Sequence, residues 1–146
     1  MKVTVDTNVL VRAVVRDDAS QASVAAKLLV DAELIAIALP SLCEFVWVLR
    51  RVYGFESTDA AAAIRALLAT ANVQMNRPAV EAGLLVLEAG GDFADGVIAY
   101  EGTWLGGEAF ASFDKKAVAL LTQQGQSAPA TKRGGFASRL LAQPTR

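Results

Sequence analysis

The chain has 146 residues, 53% of them hydrophobic and 20% charged, which is the material of one globular domain and not of a disordered chain. It holds no histidine and a single cysteine, Cys43, so histidine-dependent nucleophiles, histidine acid–base hydrolysis and an internal disulfide are excluded, and a structural zinc site is disfavoured. Net charge is −1, yet residues 1–114 carry all 15 acids against 8 bases (8 − 15 = −7), while residues 115–146 carry 6 bases and no acid.

Residues 2–5 (KVTV) read as a short buried strand that meets Asp6, and a helix is expected over 9–15. Ser20 is the expected N-cap of a second helix over 21–30. The apolar run 34–39 ends at Pro40 and reads as a second strand; Ser41 then caps a helix to Tyr53, closed by Gly54. Ser57 or Thr58 opens a helix to about Ala71, and 72–76 is a short strand. Pro78 suits the first turn of a helix over 79–89. Gly90-Gly91 breaks the chain before a helix over 92–105, and Gly106-Gly107 breaks it again before a strand over 109–113. A last core helix covers 117–123, a linker 125–131, and a short helix 136–141.

Short strands alternate with helices and lack the polar–apolar alternation of a half-exposed sheet. The fold class expected is therefore α/β: one three-layer α/β/α domain over 1–124 around a short-stranded, mainly parallel sheet, followed by a basic extension, 125–146. No apolar stretch reaches the roughly 18 residues of a membrane span, and no signal-peptide pattern is evident. With one cysteine, a reducing cytoplasmic setting is expected.

Without histidine, carboxylates or Lys must carry the work of any enzyme, and carboxylates suit hard cations such as magnesium or manganese. In parallel α/β sheets ligands gather beyond the C-terminal ends of strands, where Asp6 and Asp114 are both expected. Either one alone reads first as a helix cap. Glu44 lies in the helix text SLCEFVWVL, whose apolar residues cover most of the circumference; a carboxylate there would lie near the core and must meet a cation, be protonated or point through a gap into a cleft. In Gly90-Gly91-Asp92-Phe93-Ala94-Asp95, Asp92 fits the cap and Asp95 the ligand. Several carboxylates in one pocket repel, and a divalent cation resolves the conflict.

Asp6-Thr7-Asn8 after a first strand, Glu44 in an apolar helix, Asp92-Phe93-Ala94-Asp95 opening another, and Ser112-Phe113-Asp114 late in the chain resemble the PIN-domain nucleases over residues 2–123. The small VapC-like toxins of bacterial toxin–antitoxin pairs look most similar. The resemblance implies an endoribonuclease dependent on Mg2+ or Mn2+. Asp6, Glu44, Asp95 and Asp114 match its acidic, metal-holding positions; Thr7, Asn8 and Ser112 match its polar supports, with Asp92 as cap. It further implies an RNA substrate, a homodimer and a cognate antitoxin protein. The alternative is a PIN-like module that binds RNA or protein without cleaving.

Lys115 and Lys116, directly after Asp114, are candidates for RNA phosphate contact, as are Arg50 and Arg51. Trp47 and Trp104 read as core or dimer-interface residues more readily than as base-stacking surfaces. A phosphoacceptor domain would also use an acidic pocket, but Asp17-Asp18 follows a helix where that chemistry needs a strand end.

Overall fold

The computed structural model describes residues 1–124. The linker expected over 125–131 and the helix expected over 136–141 lie outside the described residues. Two compact units are present, one of Met1–Arg77 and one beginning at Pro78.

The first unit is α/β. Its elements are β1 (Lys2–Thr4), α1 (Thr7–Val15), α2 (Ala19–Asp31), β2 (Leu34–Ala36), α3 (Leu39–Arg51), α4 (Ser57–Leu68) and β3 (Val73–Gln74). The sheet order is β1-β2-β3 and both pairings are parallel, with Val3 opposite Ile35 and Ile35 opposite Val73. Parallel neighbours cannot be joined by a tight turn, so each step crosses over through a pair of helices. The ladder continues past the strand ends, where the Val5 amide donates to the Ala36 carbonyl at 3.2 Å and the Ile37 amide to that of Gln74 at 3.0 Å. Ile35 at the centre is fully buried, and Leu10, Leu42, Phe45, Leu49, Ile64 and Val73 complete the apolar interior.

Local chemistry moves several boundaries. Asp18, not Ser20, caps α2, its Oδ1 accepting the Gln21 amide at 3.0 Å. Pro40 does not stop a strand; it sits in the first turn of α3, where its missing N–H has no intrahelical use, and Ser41 is not the cap. Asn72 opens no strand. Its Nδ2 donates to the carbonyls of Leu29 and Ala32, at 3.0 and 2.9 Å, which closes the C-terminal end of α2.

The second unit holds α5 (Arg77–Glu88), α6 (Phe93–Trp104) and α7 (Lys115–Gln123). A Cβ on Gly96 would lie 2.8 Å from the Gly83 Cα and 2.9 Å from the Ala82 carbonyl carbon, so α6 meets α5 backbone to backbone. Gly83 in turn leaves room for the Phe93 ring, which a Cβ would approach to 2.6 Å. Val86, Ala99 and Leu121 form the interior that joins the three helices, with Phe110 and Leu120 against it. The strand expected over 109–113 is absent: the segment is an irregular connection between α6 and α7. Ala111 and Phe113 face outward, and the Asp114 amide turns back to donate to Ser112 Oγ at 3.0 Å. A buried strand needs both faces covered, and here Phe110 reaches the interior while the face of Ala111 and Phe113 stays open.

Candidate active site

In the first unit, β1 and β2 end side by side with Thr4 opposite Ala36, and each strand leads directly into a helix. The starts of α1 and α3 therefore lie at one edge of the sheet. Asp6 caps α1, its Oδ1 accepting the Val9 amide at 3.3 Å. Thr7 follows and is buried, 7% exposed. Its Oγ1 donates to Glu44 Oε2 at 3.1 Å and approaches the Ser41 carbonyl at 3.4 Å.

Glu44 itself is exposed, not buried as its apolar surroundings in the sequence suggest. Trp47 and Arg51 lie within about 60° of it around α3 and are exposed as well, so this bearing is an outward stripe whose Trp counts as apolar in any reading by composition. The other bearing supplies Leu42, Phe45, Val46 and Leu49 to the core. Glu44 thus needs no buried counter-charge. Asn8, beside Thr7, is exposed on the first turn of α1.

In the second unit, Asp92 caps α6 by accepting the Ala94 amide at 3.2 Å, and Asp114 caps α7 by accepting the Ala117 amide at 3.1 Å. Asp95 is half-buried in the first turn of α6 and caps nothing. Its carboxyl is held above the usual range, first by desolvation and then by the charges of Asp92 and Asp114. These three acids therefore share one electrostatic neighbourhood. The Ser112 hydroxyl accepts the Asp114 amide and so fixes the turn that leads into this cap.

Capping does not exhaust these residues. A carboxylate offers about four acceptor positions and one cap bond occupies one of them, so Asp6, Asp92 and Asp114 can cap a helix and still present oxygen outward. The donors are all hard oxygens, the set that suits magnesium or manganese. The repulsion around Asp95 is relieved by added positive charge, so the residues fit a divalent cation chemically. Among the described residues, no group of three or more acidic or thiol side chains is already gathered in cation-binding geometry.

The cationic candidates divide. Lys116 Nζ donates to the Gly90 carbonyl at 2.7 Å, tying α7 to the turn after α5, whereas Lys115 is exposed. Arg50 is committed to the Phe55 carbonyl at 2.9 Å. Trp47 and Trp104 are not core residues; they are 57% and 77% exposed. One cluster was invisible in the sequence: Arg12 donates to Asp17 at 2.7 Å and the Tyr53 hydroxyl donates to the same carboxylate at 3.0 Å. The Tyr53 hydrogen bond, followed by Arg12, holds the Asp17 carboxyl below its usual range. The Tyr53 contact spans 36 positions, so no local pattern signals it.

No curated protein and no solved structure matches the chain. The family model of the PIN domain matches residues 3–119, which takes in every acidic and supporting residue described above. PIN domains are generally metal-dependent nucleases, and this chain belongs to the PIN-domain family.

Proposed function

We propose that this protein is an endoribonuclease that hydrolyses RNA phosphodiester bonds with Mg2+ or Mn2+, acting as the toxin of a toxin–antitoxin pair. The observation that carries the reading is the hydrogen bond from buried Thr7 to exposed Glu44, which fixes an outward carboxylate beside Asp6 at the strand ends. A bound divalent cation would supply Lewis acidity toward the phosphodiester and lower the pKa of a coordinated water. Within the first unit Asp6 and Glu44, and within the second Asp95 and Asp114, are the carboxylates offered to such a cation. Thr7 restricts the Glu44 rotamer, and Ser112 sets the turn that presents Asp114. Lys115, exposed after the Asp114 cap, can meet a substrate phosphate, and Lys116 keeps two N–H groups beyond the one given to Gly90. A cognate antitoxin, a homodimeric state and a cytoplasmic setting belong to the same proposal.

The test is cleavage of a single-stranded RNA by the purified full chain with added Mg2+ or Mn2+. Cleavage that EDTA abolishes and Mn2+ restores, and that Asp6→Asn removes without loss of folding, supports the reading. Full activity in Asp6→Asn overturns the site. The other reading is a PIN-like module that binds RNA or protein without cleaving, against which the presence of all four acids counts. RNA retained without cleavage at any metal concentration would establish that module.

A further inference from the structure

The second unit carries an unusual surface. Ile98, Trp104, Leu105 and Phe113 are 56%, 77%, 88% and 71% exposed, all on α6 or the connection that follows it. Ile98 and Leu105, seven positions apart, share one bearing of α6, with Glu101 between them. Large exposed apolar groups clustered in one stretch mark a surface that something covers.

Charge says what kind of segment fits. Residues 78–114 include Glu81, Glu88, Asp92, Asp95, Glu101, Glu108 and Asp114 and no base. Residues 125–146 include Lys132, Arg133, Arg139 and Arg146 and no acid, together with Phe136, Leu140 and Leu141. An acidic surface with apolar side chains is thus followed in the same chain by a basic segment with apolar side chains.

The point of departure fits as well. α7 packs Leu121 against Val86 of α5 and Ala99 of α6, so the chain leaves the described residues from the same unit that carries this surface. Gln124 Nε2 donates to the Leu85 carbonyl at 2.7 Å, while Gln124 Oε1 is buried and has no hydrogen-bond partner among the described residues. A buried acceptor left unmet is costly, and a donor from the next residues would remove that cost. Twenty-two residues (146 − 124) can span about 70 Å when extended, so reach is not limiting. A tethered segment also meets its site at an effective concentration of about millimolar.

We propose that the exposed acidic and apolar face of α6, with the connection after it, is the docking surface for this chain's own basic segment, residues 125–146. The docked segment covers Trp104 and Leu105 and brings its cations to the acidic side of that face at Glu101, leaving the carboxylates of the proposed metal site uninvolved. This contact is independent of whether the protein cleaves RNA.

The test uses the full chain with Trp47→Phe, which leaves Trp104 as the fluorophore. Acrylamide quenching is compared at low salt between this protein and one that also carries Lys132→Glu, Arg133→Glu and Arg139→Glu. The expected result is a quenching constant about two-fold higher after charge reversal, and a similar rise in about 0.5 M salt, where screening acts within a few Å. Equal quenching in the two proteins overturns the proposal. Protection that disappears on dilution assigns the cover to a second copy and also overturns it. So does unchanged quenching accompanied by weakened binding of an RNA oligonucleotide, which would make the segment an RNA-binding arm.

Discussion

Thr7→Val is the substitution that isolates one bond at the proposed site. Valine keeps the shape of threonine and replaces the hydroxyl by a methyl group, so the buried space that Thr7 occupies stays filled. What is lost is the 3.1 Å bond to Glu44 and the weaker 3.4 Å approach to the Ser41 carbonyl. A hydrogen bond to a charged group contributes about 1.5–3 kcal/mol when its partner is left stranded. Glu44 is exposed, so water replaces the hydroxyl and the loss falls to about 1 kcal/mol. For a chain of this size that lowers the midpoint of thermal unfolding by about 3–4 °C. The effect on cleavage is expected to be larger, about 10–100-fold in kcat, because a carboxylate that rotates freely no longer presents its oxygens in one place. Thr7→Ser restores the hydroxyl and most of the activity. Thermal unfolding by circular dichroism and a cleavage time course under saturating metal measure the two effects. A Thr7→Val protein that cleaves RNA at the original rate would refute the positioning argument, and one that fails to fold would show that the pair is structural.

Three further outcomes follow from the geometry. Asp95 holds its proton more tightly in the folded protein than in the unfolded chain, so its contribution to stability is complete below the unfolded pKa and is lost as pH rises through the folded one. Asp95→Asn is therefore expected to raise the unfolding midpoint at pH 7, with no gain near pH 3, while cleavage falls; a pH-independent change in stability would contradict this. Gly96→Ala drives a methyl group into the backbone of α5 and is expected to destabilise by about 3 kcal/mol or more in urea unfolding, whereas the same change at Gly102, which has open space around it, costs little. Tyr53→Phe removes the hydrogen bond that most lowers Asp17, so the Asp17 carboxyl titrates closer to its ordinary value by NMR; stability carried by Asp17, present above the unfolded pKa and lost as pH falls through the folded one, shrinks accordingly.

What could be read from the residues divides along a physical line. Asp6, Asp92 and Asp114 were legible as caps because a cap bond reaches only two or three residues along the chain. The parallel sheet was legible in its first two strands because 34–39 and 2–5 are apolar runs that helices follow. The run 109–113 has the same apolar composition, yet forms no strand, because strand formation depends on a neighbour that composition does not specify. Glu44 was misplaced for a related reason: Trp47 was counted as core, which hid the outward stripe it shares with Glu44 and Arg51. The Thr7–Glu44 bond joins residues 37 positions apart, so the two types were legible and their meeting was not.

The topology of the first unit also favours one order of assembly over others. Val3 meets Ile35 across 32 positions and Ile35 meets Val73 across 38. Closing loops of that length costs conformational entropy before any ladder bond compensates, so α1 with α2, and α3 with α4, can form early while the sheet joins late. Thr7 and Glu44 stand on the two sides of the first such closure. A chain still folding therefore contains helices, caps and every acidic residue, yet has no fixed carboxylate beside Asp6. For a protein whose chemistry would be aimed at RNA, the hazardous surface is then among the last features to exist, and it disappears first when the sheet opens.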